Sequence, residues 1–391
     1  MKIALVSPYD YAYPGGVVNH ITALEKQLSA MGHDVRVIAP ASKPIKGLGE
    51  RFIRIGTPRP IPVSGTTARI CISLRLANRI KEVLAAEKFD IVHLHEPFLV
   101  MLCSAMLRFS NGINIGTFHA TGSRPGYNWG WPISRVMLNR RMKKLTGKIA
   151  VSKPAMEYCG KYVPGPYEII PNGIDLDHFK PDVEPVEQYK DGKLNILFVG
   201  RLEKRKGLKY LITAYRHVKK QIPESRLIVV GPGTRMRKGY ERQVKEAGLK
   251  DDVVFVGSVS SDDLPRYYKT ADIFCAPATG QESFGIVLLE AMAVGTPIVA
   301  SRIDGYAGVL THGREGLLVP PKDSGELARA LLRMAKDESL RQEMGNRGLL
   351  TARNYSWRRV AQTVVAYYNR VLSQRQAQGS LTEYEVSPAS L

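Results

Sequence analysis

Two glutamates, Glu282 and Glu290, stand eight residues apart on either side of a segment that could bind a phosphorylated sugar. The sequence predicts a loop at the first and a helix from about Ser283 to Gly295, which turns both carboxylates to roughly the same side. Unpaired N–H groups and the helix dipole favour an anion at such a helix start. The amides concerned are those of Gly285, Ile286 and Val287. The alternative interpretation is a buried helix end with one capping glutamate.

A basic pair in the same half of the chain could supply positive charge. Leu194–Gly200 is predicted to be a strand, and Arg201 and Lys206 follow it before Gly207 opens a helix. Two cations at the carboxyl end of a strand can clamp a diphosphate. The alternative is a basic surface turn without a ligand.

Histidines close two predicted strands in the first half of the chain. The strands are Asp90–His95, which is followed by Glu96, and Asn114–His119. The carboxyl ends of parallel strands face the ligand crevice in open α/β sheets. We therefore predict that His119 lines a binding site, and a structural histidine is the alternative. His95 is expected to orient its neighbours.

The elements that hold these residues alternate between strand and helix from the start of the chain. The opening βαβ unit consists of a strand over Lys2–Val6, a loop that ends in Gly15 and Gly16, a helix over Val17–Met31 and a strand over Val35–Ala39. This order is typical of a Rossmann-like α/β domain. The glycine pair lacks the G-x-G-x-x-G pattern, so it does not predict a nicotinamide cofactor.

Three later stretches extend this first domain. Residues 40–66 are rich in proline, glycine and basic groups and are expected to form a long functional connection. Thr67–Ala86 and Ile133–Gly147 are predicted to be helices, and the second carries five Lys and Arg residues. Trp129 and Trp131 precede it and would suit a lipid headgroup region. The alternative for both tryptophans is a place in the core.

The strand pattern restarts after the turn-rich stretch Pro171–Pro181 and predicts a second α/β domain. The first domain is predicted to cover residues 1–170 and to be completed by a C-terminal helix at about 356–373. The second domain is predicted to cover residues 171–355, and residues 374–391 are predicted to be a mobile tail. A length of 391 residues suits two such domains.

Composition narrows the classes of function. The net charge is +20, and residues 51–153 hold 17 Lys and Arg against 4 Asp and Glu, a net +13. Such a basic surface favours phosphorylated substrates, anionic lipid or nucleic acid. The longest uncharged apolar run, Phe98–Leu107, is too short to span a bilayer. The four cysteines lack CxxC spacing, which fits a reducing cytosol and predicts neither a disulfide framework nor a structural zinc site.

Five motifs, in order and spacing, resemble those of family 4 glycosyltransferases. They are Pro171-Asn-Gly-Ile-Asp175, Gly200-Arg-Leu-Glu-Lys-Arg-Lys-Gly207, Val229-Val-Gly-Pro-Gly233, Val254-Phe-Val-Gly-Ser-Val259 and the E-x7-E motif from Glu282 to Glu290. That family consists of retaining enzymes with the GT-B fold, in which two Rossmann-like α/β domains face each other across a cleft. The resemblance covers nearly the whole chain. It implies an N-terminal acceptor domain and a C-terminal domain for a nucleotide-sugar donor.

The same resemblance implies roles for individual residues. Glu282 corresponds to a contact with the transferred sugar, Glu290 to a contact with the ribose, and His119 to a position beside the reacting sugar. The implied catalytic residues are His119, Glu282, Arg201 and Lys206. The implied donor-binding residues are Gly16, Arg201, Lys206, Glu282, Phe284, Gly285, Ile286, Val287 and Glu290. The implied acceptor-binding residues are Tyr9, Arg69 and Arg124. Val18 and the loop at residues 63–67 depart from the family pattern and leave the exact acceptor open.

The resemblance also implies a reaction, namely transfer of mannose from GDP-mannose to a membrane lipid such as phosphatidyl-myo-inositol. It implies no permanently bound cofactor, no metal for the chemistry, and a peripheral position on an anionic phospholipid surface at the cytoplasmic face of the plasma membrane. Front-face attack and a covalent intermediate both stay open. The alternative is a UDP-sugar donor with a different lipid, cyclitol or glucan acceptor. A nucleic-acid-binding protein is a more remote alternative, because the chain has no recognised binding motif of that kind.

Overall fold

The computed structural model describes residues 1–63, 66–71, 76–97, 100–121 and 140–385 of the chain. The chain folds into two compact units. Unit 1 consists of Met1–Pro171 together with Trp357–Leu391, and unit 2 consists of Asn172–Ser356.

Unit 1 is built on a parallel sheet. Its described strands are β1 (Lys2–Val6), β2 (Asp34–Ala39), β3 (Phe52–Arg54), β4 (Pro58–Val63), β5 (Thr66–Cys71), β6 (Ile91–His95), β7 (Ile113–Phe118), β8 (Gly147–Ala150) and β9 (Glu168–Ile169). Within the described residues, seven of these form one sheet in the order β3-β2-β1-β6-β7-β8-β9, while β4 and β5 form a separate hairpin. The reversal of strand order beside β1 is the switch point at which Rossmann-like sheets bind ligands.

Helices connect and cover these strands. Their bounds in the described part of unit 1 are α1 (Gly16–Ala30), α2 (Ala77–Glu87), α3 (Val100–Phe109), α4 (Lys153–Gly160) and a long last helix (Trp357–Glu385). The strands β1 and β6 are fully buried over most of their length, with Ile3, Leu5 and Ile91 at 0% exposure. Continuous apolar strands of this kind are typical of parallel sheets that are covered on both faces.

Unit 2 repeats this architecture. Its strands are β10 (Leu194–Val199), β11 (Ser225–Val230), β12 (Val253–Gly257), β13 (Ile273–Ala276), β14 (Ile298–Ser301) and β15 (Gly316–Val319). Their order in the sheet is β12-β11-β10-β13-β14-β15, again with a switch point beside the first strand. The helices of unit 2 are α5 (Leu208–Gln221), α6 (Arg237–Glu246), α7 (Leu264–Thr270), α8 (Ile286–Ala293), α9 (Asp304–Ala307), α10 (Ser324–Lys336) and α11 (Glu338–Arg353). Trp357–Glu385 is α12 in this order.

The last helix, α12, belongs to unit 1 although it follows unit 2 in the chain. Its residues Val360, Val364 and Tyr368 are buried in the same apolar cluster as Ile3 and Ile21. The Tyr367 hydroxyl accepts a hydrogen bond of 2.8 Å from the backbone N–H of Lys148 at the sheet. The core of unit 1 therefore needs residues from both ends of the chain.

Three sequence predictions are wrong in detail. The helix predicted over Thr67–Ala86 begins only at Ala77, because Thr66–Cys71 pairs as a strand with Pro58–Val63. Residues 40–66 contain β3 and β4 rather than a connection without strands. The last helix, predicted to end at about residue 373, continues to Glu385. Residues 133–139 of the helix predicted over Ile133–Gly147 and both tryptophans before it lie outside the described residues, and the rest of that stretch is helical only over residues 140–142.

Candidate active site

In unit 2, the segment from Glu282 to Glu290 contains the start of helix α8, which no described side chain caps. Gly285 is the N-cap in a left-handed conformation with φ of 85°, and among the described residues no side chain caps it. A Cβ atom on Gly285 would lie 2.6 Å from the ring of Tyr306, so only glycine fits. The amides of Ile286 and Val287 then form the first turn, where a helix favours an anion. The helix starts at Ile286, three residues later than the sequence predicts.

Glu282 lies in the loop before this helix and is held by two cations. Its carboxylate contacts the guanidinium of Arg205 and lies 2.8 Å from Nζ of Lys206. The side chains of Glu282 and Lys206 are 12% and 14% exposed, so the pair is largely shielded from water. A charge pair in this setting is stronger than one on the open surface.

Arg201, the other predicted cation, does not contact Glu282 in the described structure. Its Nε lies 3.1 Å from the Glu203 carboxylate, and its side chain is 47% exposed. Glu203 also pairs with Arg205 at 2.9 Å. The structure thus brings Lys206 to Glu282 and adds Arg205, which the sequence interpretation missed. The signal for Arg205 was its place in the Lys204–Lys206 turn, which forms a 3₁₀ helix.

Close backbone contacts fix the cationic turn against the Glu282 loop. Gly207 has φ of 75°, and a Cβ there would lie 1.8 Å from the carbonyl oxygen of Pro277. The backbone N–H of Thr279 donates a 2.8 Å hydrogen bond to the carbonyl of Arg205. A Cβ on Gly305 would lie 2.0 Å from the carbonyl oxygen of Glu282. The turn, the end of β13 and the start of α9 therefore hold the charged residues in place.

Glu290 has a different partner from Glu282. Its carboxylate accepts a 2.6 Å hydrogen bond from the hydroxyl of buried Tyr268. Burial raises the pKa of the Glu290 carboxyl, while the Tyr268 hydrogen bond and the charges of Lys206 and His178 act in the opposite direction. Lys206 thus pairs with one glutamate and influences the other, which makes it the cation shared by the two ends of the E-x7-E segment.

Phe284 faces the core of unit 2 instead of the surface. It is 5% exposed and packs edge-on against Tyr355, with 5.9 Å between ring centroids. Its side chain therefore supports the loop, and only its backbone could reach a ligand. Ile286 and Val287 are partly buried and also pack against that core.

Gly16 begins α1 at the switch point of unit 1. Gly15 before it is extended, and among the described residues no side chain caps the helix. A Cβ atom on Gly15 or Gly16 would meet no atom of the described structure within 4 Å. Packing therefore does not require glycine at these positions, whereas close approach of a ligand to the helix start would.

Two predicted acceptor residues lie side by side near the end of β1. Tyr9 forms a β-bridge with Ile70, and the N–H of Asp10 donates a 2.9 Å hydrogen bond to the carbonyl of Arg69. The Arg69 guanidinium lies 4.1 Å from the centre of the Tyr13 ring. Burial, followed by the negative charge of Glu96, raises the pKa of the Tyr9 hydroxyl. The third predicted acceptor residue, Arg124, lies outside the described residues.

His119 belongs to a group of histidines at the ends of β6 and β7. Its Nε2 lies 3.1 Å from Nδ1 of His95, and its backbone N–H donates a 2.7 Å hydrogen bond to the carboxylate of Glu96. His20 of α1 packs against His119 with 4.7 Å between ring centroids. Burial is the main cause that lowers the pKa of His95 and of His119, so both imidazoles are neutral near pH 7.

The sequence interpretation missed His20 and His93 in this group. His93 lies inside the sheet, with Nδ1 2.6 Å from the hydroxyl of Tyr368 and Nε2 2.6 Å from that of Thr117. His20 stands four residues after Gly16 and so lies one turn along α1, facing the strand ends. This spacing of four residues from Gly16 could have indicated that His20 lies on the same side of α1 as the predicted binding site.

Comparison with known proteins matches this geometry to one family. The profile described as "Glycosyltransferase Family 4" matches residues 14–178, and the profile "Glycosyl transferases group 1" matches residues 180–350. A phosphatidyl-myo-inositol mannosyltransferase of Mycobacterium leprae is 35% identical over 95% of this chain and 97% of its own length. The chain belongs to glycosyltransferase family 4. It is a glycosyltransferase.

Other relatives and solved structures agree with this assignment. A phosphatidyl-myo-inositol mannosyltransferase of Propionibacterium freudenreichii is 34% identical over 94% of each chain. Sucrose-phosphate synthase from Thermosynechococcus elongatus superimposes with a TM-score of 0.74 at 24% identity, covering 95% of this chain and 99% of its own. The Anabaena protein HepE, solved with UDP and glucose, gives a TM-score of 0.73 at 19% identity, with 95% and 100% coverage. The family 4 enzyme therefore has the GT-B fold of two Rossmann-like α/β domains.

The predicted family, fold class and enzyme class are thus confirmed. Among the described helices of this glycosyltransferase, none combines the length and apolar character needed to cross a bilayer.

Proposed function

We propose that this glycosyltransferase transfers mannose from GDP-mannose to an inositol phospholipid and retains the configuration of the sugar. Its relatives at 34–35% identity over most of the chain are named phosphatidyl-myo-inositol mannosyltransferases. The observation that carries the chemistry is the shielded group of Glu282, Arg205 and Lys206 at the start of α8. It combines cations for a diphosphate with a carboxylate for sugar hydroxyls.

Unit 2 supplies the donor site in this proposal. Glycosyl transfer breaks a sugar–phosphate bond, and negative charge builds up on the leaving diphosphate. Lys206 and the first-turn amides of α8 stabilise that charge, with Arg201 as a further exposed cation. When the diphosphate pairs with Lys206, Glu282 keeps only Arg205 as a partner, and its carboxylate can then accept hydrogen bonds from the transferred sugar. Glu290 with Tyr268 binds the ribose hydroxyls.

Unit 1 supplies the acceptor site. Tyr9 and Arg69, next to each other beyond β1, form the pocket for the headgroup, and the guanidinium pairs with its phosphate. The neutral imidazole of His119 hydrogen-bonds a sugar hydroxyl beside the reacting carbon. Gly16 leaves the start of α1 open to the diphosphate. Because cationic side chains neutralise the negative charge of the leaving diphosphate, the chemistry proceeds without a divalent metal. Full activity in EDTA is therefore expected.

The acceptor stays in its membrane while the headgroup reacts. The net charge of +13 in residues 51–153 supports attachment to an anionic phospholipid surface. A second candidate acceptor is a soluble inositol phosphate, because a D-inositol 3-phosphate glycosyltransferase of an Arthrobacter strain is 25% identical over 92% of this chain. Both acceptors carry an inositol ring and a phosphate, so the experiment has to separate lipid from soluble forms.

Two measurements test the proposal. Thermal melting with GDP-mannose and with UDP-sugars identifies the donor, since a ligand at about 100 times its Kd adds about 2.7 kcal/mol to the free energy of unfolding. Transfer is then measured with phosphatidylinositol vesicles and with free inositol phosphate. We expect stabilisation by GDP-mannose and faster transfer to the vesicles. Stabilisation by UDP-sugars alone, or equal transfer to the soluble acceptor, would overturn the donor or the acceptor assignment respectively.

A further inference from the structure

Three histidines from three separate elements converge in unit 1. His20 lies on α1, His95 ends β6, and His119 follows β7. One nitrogen atom from each ring lies within 4.8 Å of the other two. His95 and His20 are 0% and 5% exposed, while His119 is partly exposed. Solvent can therefore reach the cluster from the His119 side.

The spacing of these nitrogens is close to that of metal ligands. In a tetrahedral zinc site with Zn–N bonds of about 2.0–2.1 Å, two ligand nitrogens lie about 3.3–3.4 Å apart. Nδ1 of His95 and Nε2 of His119 are 3.1 Å apart, so a small ring rotation brings them to that separation. The third nitrogen needs to approach by roughly 1–1.5 Å to complete three positions.

The protein leaves part of this cluster without hydrogen bonds and places a carboxyl group beside it. His95 Nε2, the ring nitrogen that does not face His119, is buried without a hydrogen-bond partner among the described residues, so no hydrogen bond at that nitrogen opposes the small rotation of the ring. The buried Glu96 carboxylate lies 2.7 Å from the backbone nitrogen of His119 and places a negative charge beside the group.

The fourth histidine of the region is excluded as a ligand. His93 uses both ring nitrogens, for Tyr368 and for Thr117, at 2.6 Å each. Its ring centroid lies 4.3 Å from that of His95, so it packs against the cluster and holds it in place. Three ligands remain, with a fourth position open to water, as in zinc sites that exchange ligands.

We propose that His20, His95 and His119 form a binding site for a divalent transition metal, with Zn²⁺ as the fitting ion, and that the bound metal inhibits the enzyme. Imidazole nitrogens favour Zn²⁺ over Mg²⁺ or Ca²⁺, which prefer oxygen ligands. A metal bound to His119 prevents its imidazole from making the hydrogen bond to the reacting sugar that the proposed function assigns to it. The inhibition rests on that proposed function, while metal binding by itself does not.

Direct binding tests the site independently of activity. Protein free of tags and stripped with EDTA is titrated with Zn²⁺ against a chromophoric chelator, and with Co²⁺ to record the absorption bands of a tetrahedral ion. The variants are His20→Gln and His95→Gln, and the matched control is His217→Gln, an exposed histidine on α5. We expect one Zn²⁺ per chain in the wild type and in the control, and affinity at least tenfold lower in the two cluster variants.

Thermal melting of the metal-free variants checks that each one folds. No Zn²⁺ binding by the wild type, or equal Zn²⁺ affinity in wild type and folded His20→Gln, would overturn the site. Transfer activity is then compared for each variant with and without Zn²⁺. Inhibition by Zn²⁺ in the wild type that is lost in His20→Gln supports the regulatory role. Zn²⁺ binding without inhibition would leave the metal site standing and would overturn the role assigned to His119.

Discussion

Among the described residues, Lys206 is the cation that connects Glu282 and Glu290. It lies 2.8 Å from the Glu282 carboxylate, and its charge opposes the burial that raises the pKa of Glu290. These residues are far apart in sequence, so their meeting could be expected only from the family motifs. Arg205 was missed, because its side chain meets Glu282 only once the Lys204–Lys206 stretch forms a 3₁₀ turn.

Removal of Lys206 tests its role in transfer. In Lys206→Ala we expect kcat to fall by about 100- to 1,000-fold, as for loss of one preorganised charge-stabilising group. The fold should survive, because Arg205 remains paired with Glu282. The control is Lys209→Ala, which replaces an exposed lysine in the first turn of α5. Steady-state kinetics at saturating donor measure kcat for both variants. A near-normal kcat in Lys206→Ala would refute the role of Lys206 in transfer.

Buried His93 leads to a prediction about the stability of the protein in acid. Burial lowers the pKa of His93 to about 3, whereas an unfolded histidine titrates near 6.5. The unfolded state therefore binds protons first as pH falls, and stability is lost below about pH 6.5 and down to about pH 3. Between pH 7 and pH 5 this histidine alone should cost about 2 kcal/mol of unfolding free energy.

Urea unfolding at pH 7 and pH 5 measures this effect. The wild type is compared with His93→Gln, in which the titrating group is gone. We expect the variant to be less stable at pH 7 but to lose about 2 kcal/mol less between the two pH values. Parallel losses in the two proteins would show that His93 titrates in the folded state much as it does in the unfolded chain.

At the level of elements, the buried strands of the parallel sheets were predicted well and the hairpin of β4 and β5 was not. The predicted strand Lys2–Val6 agrees with the structure residue by residue, and the predicted strands Val35–Ala39 and Asp90–His95 differ from it by one residue at their start, because short apolar runs mark buried strands. Thr67–Cys71 was mistaken for part of a helix. It belongs to strand β5, which pairs with Pro58–Val63 in a hairpin, and strand formation depends on such cross-strand partners more than on the propensity of the single segment.

Close approach of α9 to the Glu282 loop gives a prediction at this scale. A Cβ on Gly305 would lie 2.0 Å from the Glu282 carbonyl, so Gly305→Ala must displace the loop. We expect a loss of about 1–3 kcal/mol in unfolding free energy and a larger relative loss of kcat. Gly239→Ala on α6 is the control, since a Cβ there meets no atom of the described structure within 4 Å and alanine favours a helix. Denaturant unfolding and kinetics of both variants check this, and equal behaviour would contradict it.

At the scale of the whole molecule, the basic stretch of residues 51–153 in unit 1 is expected to bind anionic lipid. Arg140 and Lys143 are exposed, whereas Lys144 donates hydrogen bonds to the carbonyls of Arg108 and Ser110 at 3.0 and 2.9 Å. Arg141 likewise contacts Ser104. Replacing the two exposed residues therefore tests surface charge without disturbing the fold.

The double variant Arg140→Ser and Lys143→Ser should bind phosphatidylinositol vesicles about 30-fold more weakly. Each basic residue near an anionic surface contributes about 1 kcal/mol, and the difference should shrink at high salt. The control replaces Arg242 and Lys245, two exposed residues of α6 in unit 2, with serine. Vesicle sedimentation at two salt concentrations measures the effect. Equal losses in both double variants would point to net charge alone instead of a membrane-facing surface.

The position of α12 has a consequence for the order in which this protein folds during synthesis. Unit 2 is complete once the ribosome has passed Ser356, but unit 1 still lacks Val360, Val364 and Tyr368. At a synthesis rate of about 5–20 residues per second, about 10–40 s pass between the synthesis of Pro171 and that of α12. Residues 1–171 lack the rest of unit 1 during that time. During that interval His93 has no Tyr368 hydroxyl to bind. The nascent N-terminal half therefore exposes its apolar sheet face for that time and is the part of the chain that chaperones should bind.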